Sequence, residues 1–356
     1  MARVILAMSG GVDSSVAAWL LREQGHEVIG LFMRHGKEPA TVCRNTTVYK
    51  QGCCSAADAA DARRVADAQG IPFYAINFQK QFDRIVDYFV DEYAVGRTPN
   101  PCIVCNTWIK FGKLFEYADS VGAEFVATGH YARLEIIDDQ LGLCRGRDES
   151  KDQSYVLFGV ERRLLPRLKF PVGEHRKQQV RRIAGQLGLR VAEKRDSQEI
   201  CFIPDQDHAR FVREHRGGLE TAGEIVTTDG TVVGRHDGFE RFTVGQRKGL
   251  RVAMGEPYFV VRIEPNSRRV VIGTKDDLAR TELTAARANW LIDEPAKPLR
   301  CRVKIRYRSR PENATVVPLP GGRFHVAFDQ PRHGVAPGQA VVCYRGDRLL
   351  GGGWIE

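Results

Sequence analysis

Apolar positions at the start of the chain follow two alternating rhythms. Val4-Ile5-Leu6 is a short unbroken apolar run, and Val16-Ala17-Ala18-Trp19-Leu20-Leu21 has helical spacing, with Gly25 placed to close the helix. That is a strand, a tight turn and a helix. The pattern repeats: a strand over Glu27 to Met33, a helix over Ser55 to Gln69 stopped by Gly70-Ile71-Pro72, a strand over Phe73 to Asn77, and a long amphipathic helix from Gln81 to Val95. A further helix through Trp108 to Ala118 precedes the strand Phe125 to Thr128, which ends in the turn Gly129-His130. Strands alternating with helices predict an α/β fold with a doubly wound parallel sheet. Ligands of such sheets bind outside the carboxyl ends of the strands, which is where Ser9, Met33 and Gly129-His130 fall.

From about His208 the helical period disappears. Short β-type runs (Glu224-Ile225-Val226, Thr231 to Gly234, Tyr258 to Val261, Arg269 to Ile272) are punctuated by Asp229-Gly230, Asp237-Gly238 and Pro265-Asn266. Past residue 273 further strands separated by Pro and Gly turns suggest a small β-barrel. The expected organisation is 1–205, a catalytic domain; 206–273, a small mainly-β central domain; and 274–356, a C-terminal barrel. Alternation from Cys301 to Tyr307 places Arg302, Lys304 and Arg306 on one face beside Tyr307, a stripe suited to phosphates and base stacking.

The turn after the first strand carries the most chemistry. In Ala7-Met8-Ser9-Gly10-Gly11-Val12-Asp13-Ser14-Ser15 the glycines permit a sharp turn and bring backbone N–H groups close to an anion. Ser14 and Ser15 fall at the helix N-terminus, where free N–H groups and the dipole favour phosphate. The common GxxxxGK[ST] loop appears nowhere.

Cysteines are the second theme. Nine of them, odd in number and irregular in spacing, do not form a secreted disulfide framework, so the expectation is a cytoplasmic protein with reduced thiols. Cys43, Cys53 and Cys54 occupy an aperiodic stretch from Arg34 to Cys54 that matches no zinc pattern; Cys53-Cys54 abuts a helix N-terminus, a place that can lower a thiol pKa. Cys102-x-x-Cys105 follows Gly96-Arg97-Thr98-Pro99-Asn100-Pro101, with the spacing of redox pairs and metal sites, and Cys201 stands far downstream in Ile200-Cys201-Phe202-Ile203. Two of these suffice for disulfide chemistry, and three for a cluster with one open site. Cys144, Cys301 and Cys343 read as core. Lys151, the arginines near it, and Lys177, Arg181 and Arg182 at a predicted helix are basic faces without a settled role.

The whole-chain numbers sharpen this only a little. A chain of 356 residues exceeds one ordinary core. A formal charge of +9 favours a polyanionic partner such as nucleic acid. No apolar run approaches the ~20 residues that span a bilayer, and no signal-peptide pattern opens the chain, so no membrane partner is expected.

The Ser9 to Ser14 string resembles the pyrophosphate loop of the PP-loop ATPases, which cleave ATP between its α- and β-phosphates. It is joined, in order, by Thr98-Pro99-Asn100-Pro101 with Cys105-Asn106, Thr128-Gly129-His130, Lys151-Asp152-Gln153-Ser154-Tyr155, Ile200-Cys201-Phe202-Ile203, Gly245-Gln246-Arg247-Lys248-Gly249-Leu250, the segment Arg302 to Arg308 and Pro337-Gly338-Gln339. Together these resemble the bacterial tRNA-specific 2-thiouridylase family across essentially the whole chain. The resemblance implies a PP-loop domain, a small central domain and a C-terminal barrel, and replacement of the C2 oxygen of the wobble uridine in tRNAs for Glu, Gln and Lys by sulfur. It further implies ATP contacts from Ala7, Met8, Ser9, Gly10, Gly11, Val12, Asp13, Ser14, Met33 and Gly129, with Asp13 placing Mg²⁺. Asn100, Pro101 and Cys102 would meet the target base. His130, Lys151, Asp152, Gln153, Arg306, Tyr307 and Gln339 would touch tRNA. Cys105 matches the nucleophile and Cys201 the persulfide carrier, loaded by a sulfur-donor protein (a cysteine desulfurase or relay carrier).

One position departs from the family pattern. Many members carry Asp where this chain has Cys102, and the set Cys102, Cys105 and Cys201 resembles that of iron–sulfur-dependent tRNA thiolases, which hold a [4Fe–4S] cluster. Cluster and metal-free persulfide relay both stay open. The rival is another PP-loop pyrophosphatase, such as a tRNA lysidine synthetase or an amidating synthetase, with no need of paired cysteines.

Overall fold

A computed structural model describes residues 1–34, 56–196, 200–203, 205, 207–217 and 220–356. Cys43, Cys53 and Cys54 lie outside the described residues. The chain divides into two compact units, one of residues 1–85, 102–206 and 347–349, the other of 86–101, 207–346 and 350–356. The segment 86–101 therefore belongs with the β-rich part of the chain.

In chain order the first unit has β1 (Arg3–Ala7), α1 (Val12–Glu23), β2 (Glu27–Arg34), α2 (Ala56–Ala68), β3 (Phe73–Asn77) and the start of α3 (Gln79–Ala94). α4 (Pro101–Cys105) runs through a π-helical stretch, Asn106–Lys113, into α5 (Leu114–Ser120). Then come β4 (Phe125–Thr128), a hairpin of β5 (Ala132–Ile137) and β6 (Gln140–Arg145), the short β7 (Leu168–Lys169) and α6 (Lys177–Gln186). The sheet order is β3-β2-β1-β4-β7, and every pairing is parallel. Its strands are apolar on both faces, as covered parallel strands must be: Val4, Ile5 and Leu6 are all fully buried. On one face Val4, Leu6 and Met8 pack with Val16, Ala17 and Leu21 of α1, Ala62, Val65 and Ala66 of α2, and Val180 and Ala184 of α6. Each large side chain so buried contributes on the order of 1.5–3 kcal/mol.

α1 ends as its sequence requires. Gly25 takes φ +76°, and the following N–H of His26 reaches back to the Leu21 carbonyl at 3.1 Å. Pro101 opens α4, a position where the missing N–H costs nothing, so Cys102 and Cys105 sit on a helix and not on a turn.

The second unit holds α7 (His208–Arg216) and a four-stranded sheet of β8 (Gly223–Thr227), β9 (Val232–His236), β10 (Phe259–Glu264) and β11 (Arg269–Gly273), in the order β10-β11-β8-β9. Six more strands follow: β12 (Ala279–Trp290), β13 (Leu299–Lys304), β14 (Glu312–Leu319), β15 (Arg323–His333), β16 (Ala340–Arg345) and β17 (Arg348–Ile355). Their order β12-β15-β14-β13-β16-β17 is closed by pairing of β12 with β17, a barrel without free edges. Phe324, Val326, Val316, Val303, Cys301 and Cys343 fill its core.

Candidate active site

The turn between β1 and α1 is locked by short polar contacts. The Ser9 N–H donates to Ser14 Oγ (3.2 Å), while the hydroxyls of Ser14 and Ser15 donate to the Gly11 carbonyl (3.2 and 2.8 Å). Gly10 stands at φ +69°, and a Cβ there would lie 2.2 Å from the Asp58 backbone oxygen. Gly11 is the extended N-cap of α1 and offers no side chain to its first N–H groups. Ala7, Met8 and Val12 are buried beneath the loop, and Met33 is half-buried near the end of β2. Gly129, just past β4, comes so close to the start of α1 that a Cβ would meet the Ser14 nitrogen at 2.8 Å. The loop, Met33 and Gly129 thus gather at the carboxyl ends of β1, β2 and β4.

A charged network borders this loop. Lys177, the first residue of α6, places Nζ 2.8 Å from both carboxylate oxygens of Asp13, and the Tyr131 hydroxyl donates to Asp13 Oδ1 at 2.7 Å. Asp196 receives Lys177 (2.8 Å), Lys151 (2.8 Å) and Arg181 (2.9 Å). Burial opposes ionisation of Asp196, but hydrogen bonds and charge from Lys151 and Lys177 win and bring its pKa down to about 2. Burial and then the Asp13 charge push the Tyr131 phenol upward, so it stays a donor. Lys194 Nζ donates to the Gly10 carbonyl (2.8 Å), Asp58 (2.6 Å) and Asp61 (2.7 Å). Burial would discharge this lysine; the two carboxylates outweigh it and raise its pKa. Around Asp13 and Asp196, three cations face two carboxylates, a net positive bias beside a turn of open N–H groups.

Sequence reasoning missed Tyr131, Asp196 and Lys194 and left Lys177 ambiguous. Lys177 and Asp13 are 164 residues apart, and Lys194 and Gly10 are 184 apart, so no local period announces them.

The thiols form the second group of candidate site residues in this unit. Cys102 is exposed, and Cys105 and Cys201 are half-buried. Both thiol-bearing segments are tied to α3. Phe202, next to Cys201, meets Phe82 edge to face at 5.5 Å; Arg84, two residues further along α3, lies 5.2 Å over the ring of Trp108, three residues beyond Cys105. Among the described residues no group of three or more His, Cys, Asp or Glu side chains could hold a metal ion. Mg²⁺ makes a different demand, one or two carboxylates plus substrate phosphates, and Asp13 at the loop mouth fits it.

Several residues expected to touch tRNA are occupied internally. His130 is buried, its Nδ1 is 2.7 Å from Thr128 Oγ1, and burial followed by the Lys110 charge holds its pKa well below the usual imidazole value. Asp152 is buried and accepts from the backbone of Gly146 (3.2 Å) and Ser154 (3.0 Å) and from Arg145 (3.2 Å). Gln153 accepts the Tyr131 N–H at 2.9 Å. These three shape the loop after β6; Lys151 and Gln153 each remain partly in solvent.

The basic stripe of the barrel also differs from expectation. β13 ends at Lys304, which is buried against Tyr307, and the Arg306 guanidinium donates to the carbonyls of Gly334 (3.0 Å) and Val244 (2.6 Å). Arg302 and Tyr307 remain exposed. Alternation fails because the strand stops two residues before Arg306. Gln339 does not project outward either: its amide donates to the carbonyls of Thr98 (3.0 Å) and Pro99 (3.1 Å), and the Thr98 N–H donates to the Pro337 carbonyl (2.8 Å). The Pro337-Gly338-Gln339 turn thereby holds the irregular segment leading to half-buried Asn100 and buried Pro101.

Comparison with known proteins covers the same territory. A tRNA methyl transferase HUP domain model matches residues 2–205, a tRNA methyl transferase PRC-barrel domain model 209–274, and an aminomethyltransferase β-barrel domain model 280–355. A tRNA-specific 2-thiouridylase MnmA of Rhodopirellula baltica is 54% identical, with 100% of this chain and 96% of that protein covered. Proteins of the same name from Geobacter metallireducens (49%, covering 99% and 96%) and Carboxydothermus hydrogenoformans (47%, covering 99% and 97%) are also similar over their whole length. No described helix is long and apolar enough to cross a membrane. With the pyrophosphate loop and the two thiol-bearing segments in one unit, and identities near one half over the full length, the chain belongs to the tRNA-specific 2-thiouridylase family.

Proposed function

We propose that this chain is a cytoplasmic, ATP-dependent tRNA sulfurtransferase that replaces the C2 oxygen of the wobble uridine of Glu, Gln and Lys tRNAs with sulfur. The observation that carries the reading is that α3 holds the Cys105 and Cys201 segments together in the unit that also bears the pyrophosphate loop. The family models are named for methyl transfer, yet a methyl donor needs neither a pyrophosphate loop nor paired thiols.

A uracil carbonyl resists substitution because its oxygen leaves badly. Attack of that oxygen on the α-phosphate of ATP releases pyrophosphate and turns the oxygen into part of AMP, a good leaving group. The Ser9 to Ser14 turn and the N-terminus of α1 bind the departing pyrophosphate, and Lys177 is positioned to exchange Asp13 for phosphate oxygen. Bound Mg²⁺, held by Asp13 and the phosphates, would neutralise the charge on the leaving group.

Sulfur then arrives as a persulfide on Cys201, supplied by a donor protein. Its terminal sulfur attacks C2, the C2–O bond breaks and AMP leaves. The Cys105 thiolate next attacks Cys201 Sγ, forming a Cys105–Cys201 disulfide and leaving the sulfur on C2; an external thiol reductant must restore both thiols. Asn100 and Pro101, held through Gln339, would present the target base, which must leave the anticodon stack.

The test is Cys105→Ser and Cys201→Ser, assayed on protein purified without oxygen, with tRNA thiolation, tRNA-dependent pyrophosphate release, iron and acid-labile sulfide measured on one sample. Thiolation should fall by at least about a thousandfold while pyrophosphate release persists. Unchanged product formation would point to a PP-loop pyrophosphatase without cysteine chemistry. Near four irons per chain, lost with activity in Cys102→Ser, would replace the relay with a cluster on Cys102, Cys105 and Cys201.

A further inference from the structure

The helix that bears the reactive thiols keeps part of its surface in solvent. Cys102 is exposed, Cys105 half-buried and Trp108 39% exposed, while Ile103, Val104, Asn106, Ile109 and Phe111 are buried. Trp108 stands three residues beyond Cys105 on the same continuous helical segment. A tryptophan is an expensive residue to leave in water, and ordinary helix packing would have turned its ring inward. Here its stretch is π-helical, Asn106–Lys113, a geometry rare in proteins and found mostly at functional sites.

The ring is also backed. The exposed Arg84 of α3 lies 5.2 Å over it, and Lys110 and Lys113 follow on the same helix. Arginine over the indole holds the ring in one orientation and covers one of its faces, leaving the other for a partner. A flat aromatic surface beside an arginine is what a single-stranded nucleotide needs: a face for the base and a cation for its phosphate.

We propose that Trp108 and Arg84 form a stacking site for a tRNA nucleotide adjoining the target uridine, holding the anticodon loop open while the target base is turned toward the thiols. This rests on the reading of the chain as a tRNA sulfurtransferase. Trp108 is a binding and positioning residue; the sulfur chemistry stays with Cys105 and Cys201.

The experiment uses the full-length chain, unmodified tRNA transcript, and the variants Trp108→Ala, Trp108→Phe and Arg84→Ala. Loss of one base–aromatic stack should weaken tRNA binding about tenfold in Trp108→Ala, appearing in KM for tRNA and leaving KM for ATP unchanged. Trp108→Phe keeps a stacking face and should bind within about threefold of the parent. Addition of tRNA should quench part of the parent's tryptophan fluorescence, and that part should vanish in Trp108→Phe although its binding persists. A purely structural role for the ring would not produce this split. Arg84→Ala should reduce the slope of log affinity against log salt by about one.

Equal tRNA affinity in Trp108→Ala and the parent overturns the inference, as does a Trp108→Phe variant as weak as Trp108→Ala. A parent that binds tRNA but never thiolates it overturns the proposed function alone, because the stacking measurements remain readable. A parent with no affinity for tRNA overturns both.

Discussion

The pyrophosphate loop and the thiol-bearing segments of the first unit are held by opposite means. The pyrophosphate loop is closed by side-chain hydrogen bonds, by glycines whose α-carbons touch neighbouring backbone, and by Lys194 and Lys177 clamped to carboxylates. The thiol segments are held through ring contacts made by α3, with their sulfurs exposed or half-exposed. The difference follows the cargo. Phosphates arrive in one shape every turnover, so a rigid cradle that needs no reorganisation serves them best. In the proposed relay, sulfur is received from a donor protein and handed to a base, and its carriers would then need to stay reachable.

Three substitutions in and around the pyrophosphate loop test that contrast, in order of effect. Gly10→Ala should be the most damaging. Its Cβ would collide with the Asp58 carbonyl at a backbone angle that only glycine adopts readily, so ATP-dependent pyrophosphate release should fall at least about a hundredfold. A variant that turns over normally would mean the loop is softer than its contacts imply. Next is Lys194→Met, which leaves Asp58 and Asp61 without their shared cation. With these groups partly in solvent, the loss should be about 1–3 kcal/mol in chemical unfolding. A neutral result would put the rigidity in the backbone alone.

The smallest effect is read by pH. The folded pKa of Asp196, about 2, lies below the ordinary value near 4 for an unfolded aspartate, so its stabilisation is complete above that value and is lost as pH falls toward 2. Melting temperature measured from pH 5 to 2 should therefore separate the parent from Asp196→Asn at the upper end and bring them together at the lower. Parallel curves would show that Asp196 ionises as it does in the unfolded chain.

Local features of the site were legible in the sequence and distant ones were not. The β1–α1 turn and the cap at Gly25 announce themselves within a few residues, because glycine freedom and helical period act at short range. His130 and Asp152 look like surface residues in a string of letters, yet the fold buries both and satisfies them internally. The Arg306 expectation failed by extrapolating strand alternation past Lys304 into a turn. Gln339 is a conspicuous residue, but its bond to an irregular segment 241 residues earlier has no signature in sequence.

The division of α3 between the units has a consequence for synthesis. Phe89 and Tyr93 lie near the end of that helix and are covered by Phe211 and His208 of α7. A ribosome adding about 5–20 residues per second delivers those partners on the order of ten seconds after the rings themselves. During that interval the nascent chain carries two aromatic side chains that still lack the cover of α7. A chaperone that binds such segments would be met early, well before the barrel exists. For the same reason a chain ended near residue 206 would keep a helix whose apolar face has lost its cover, and proteases should find that helix first.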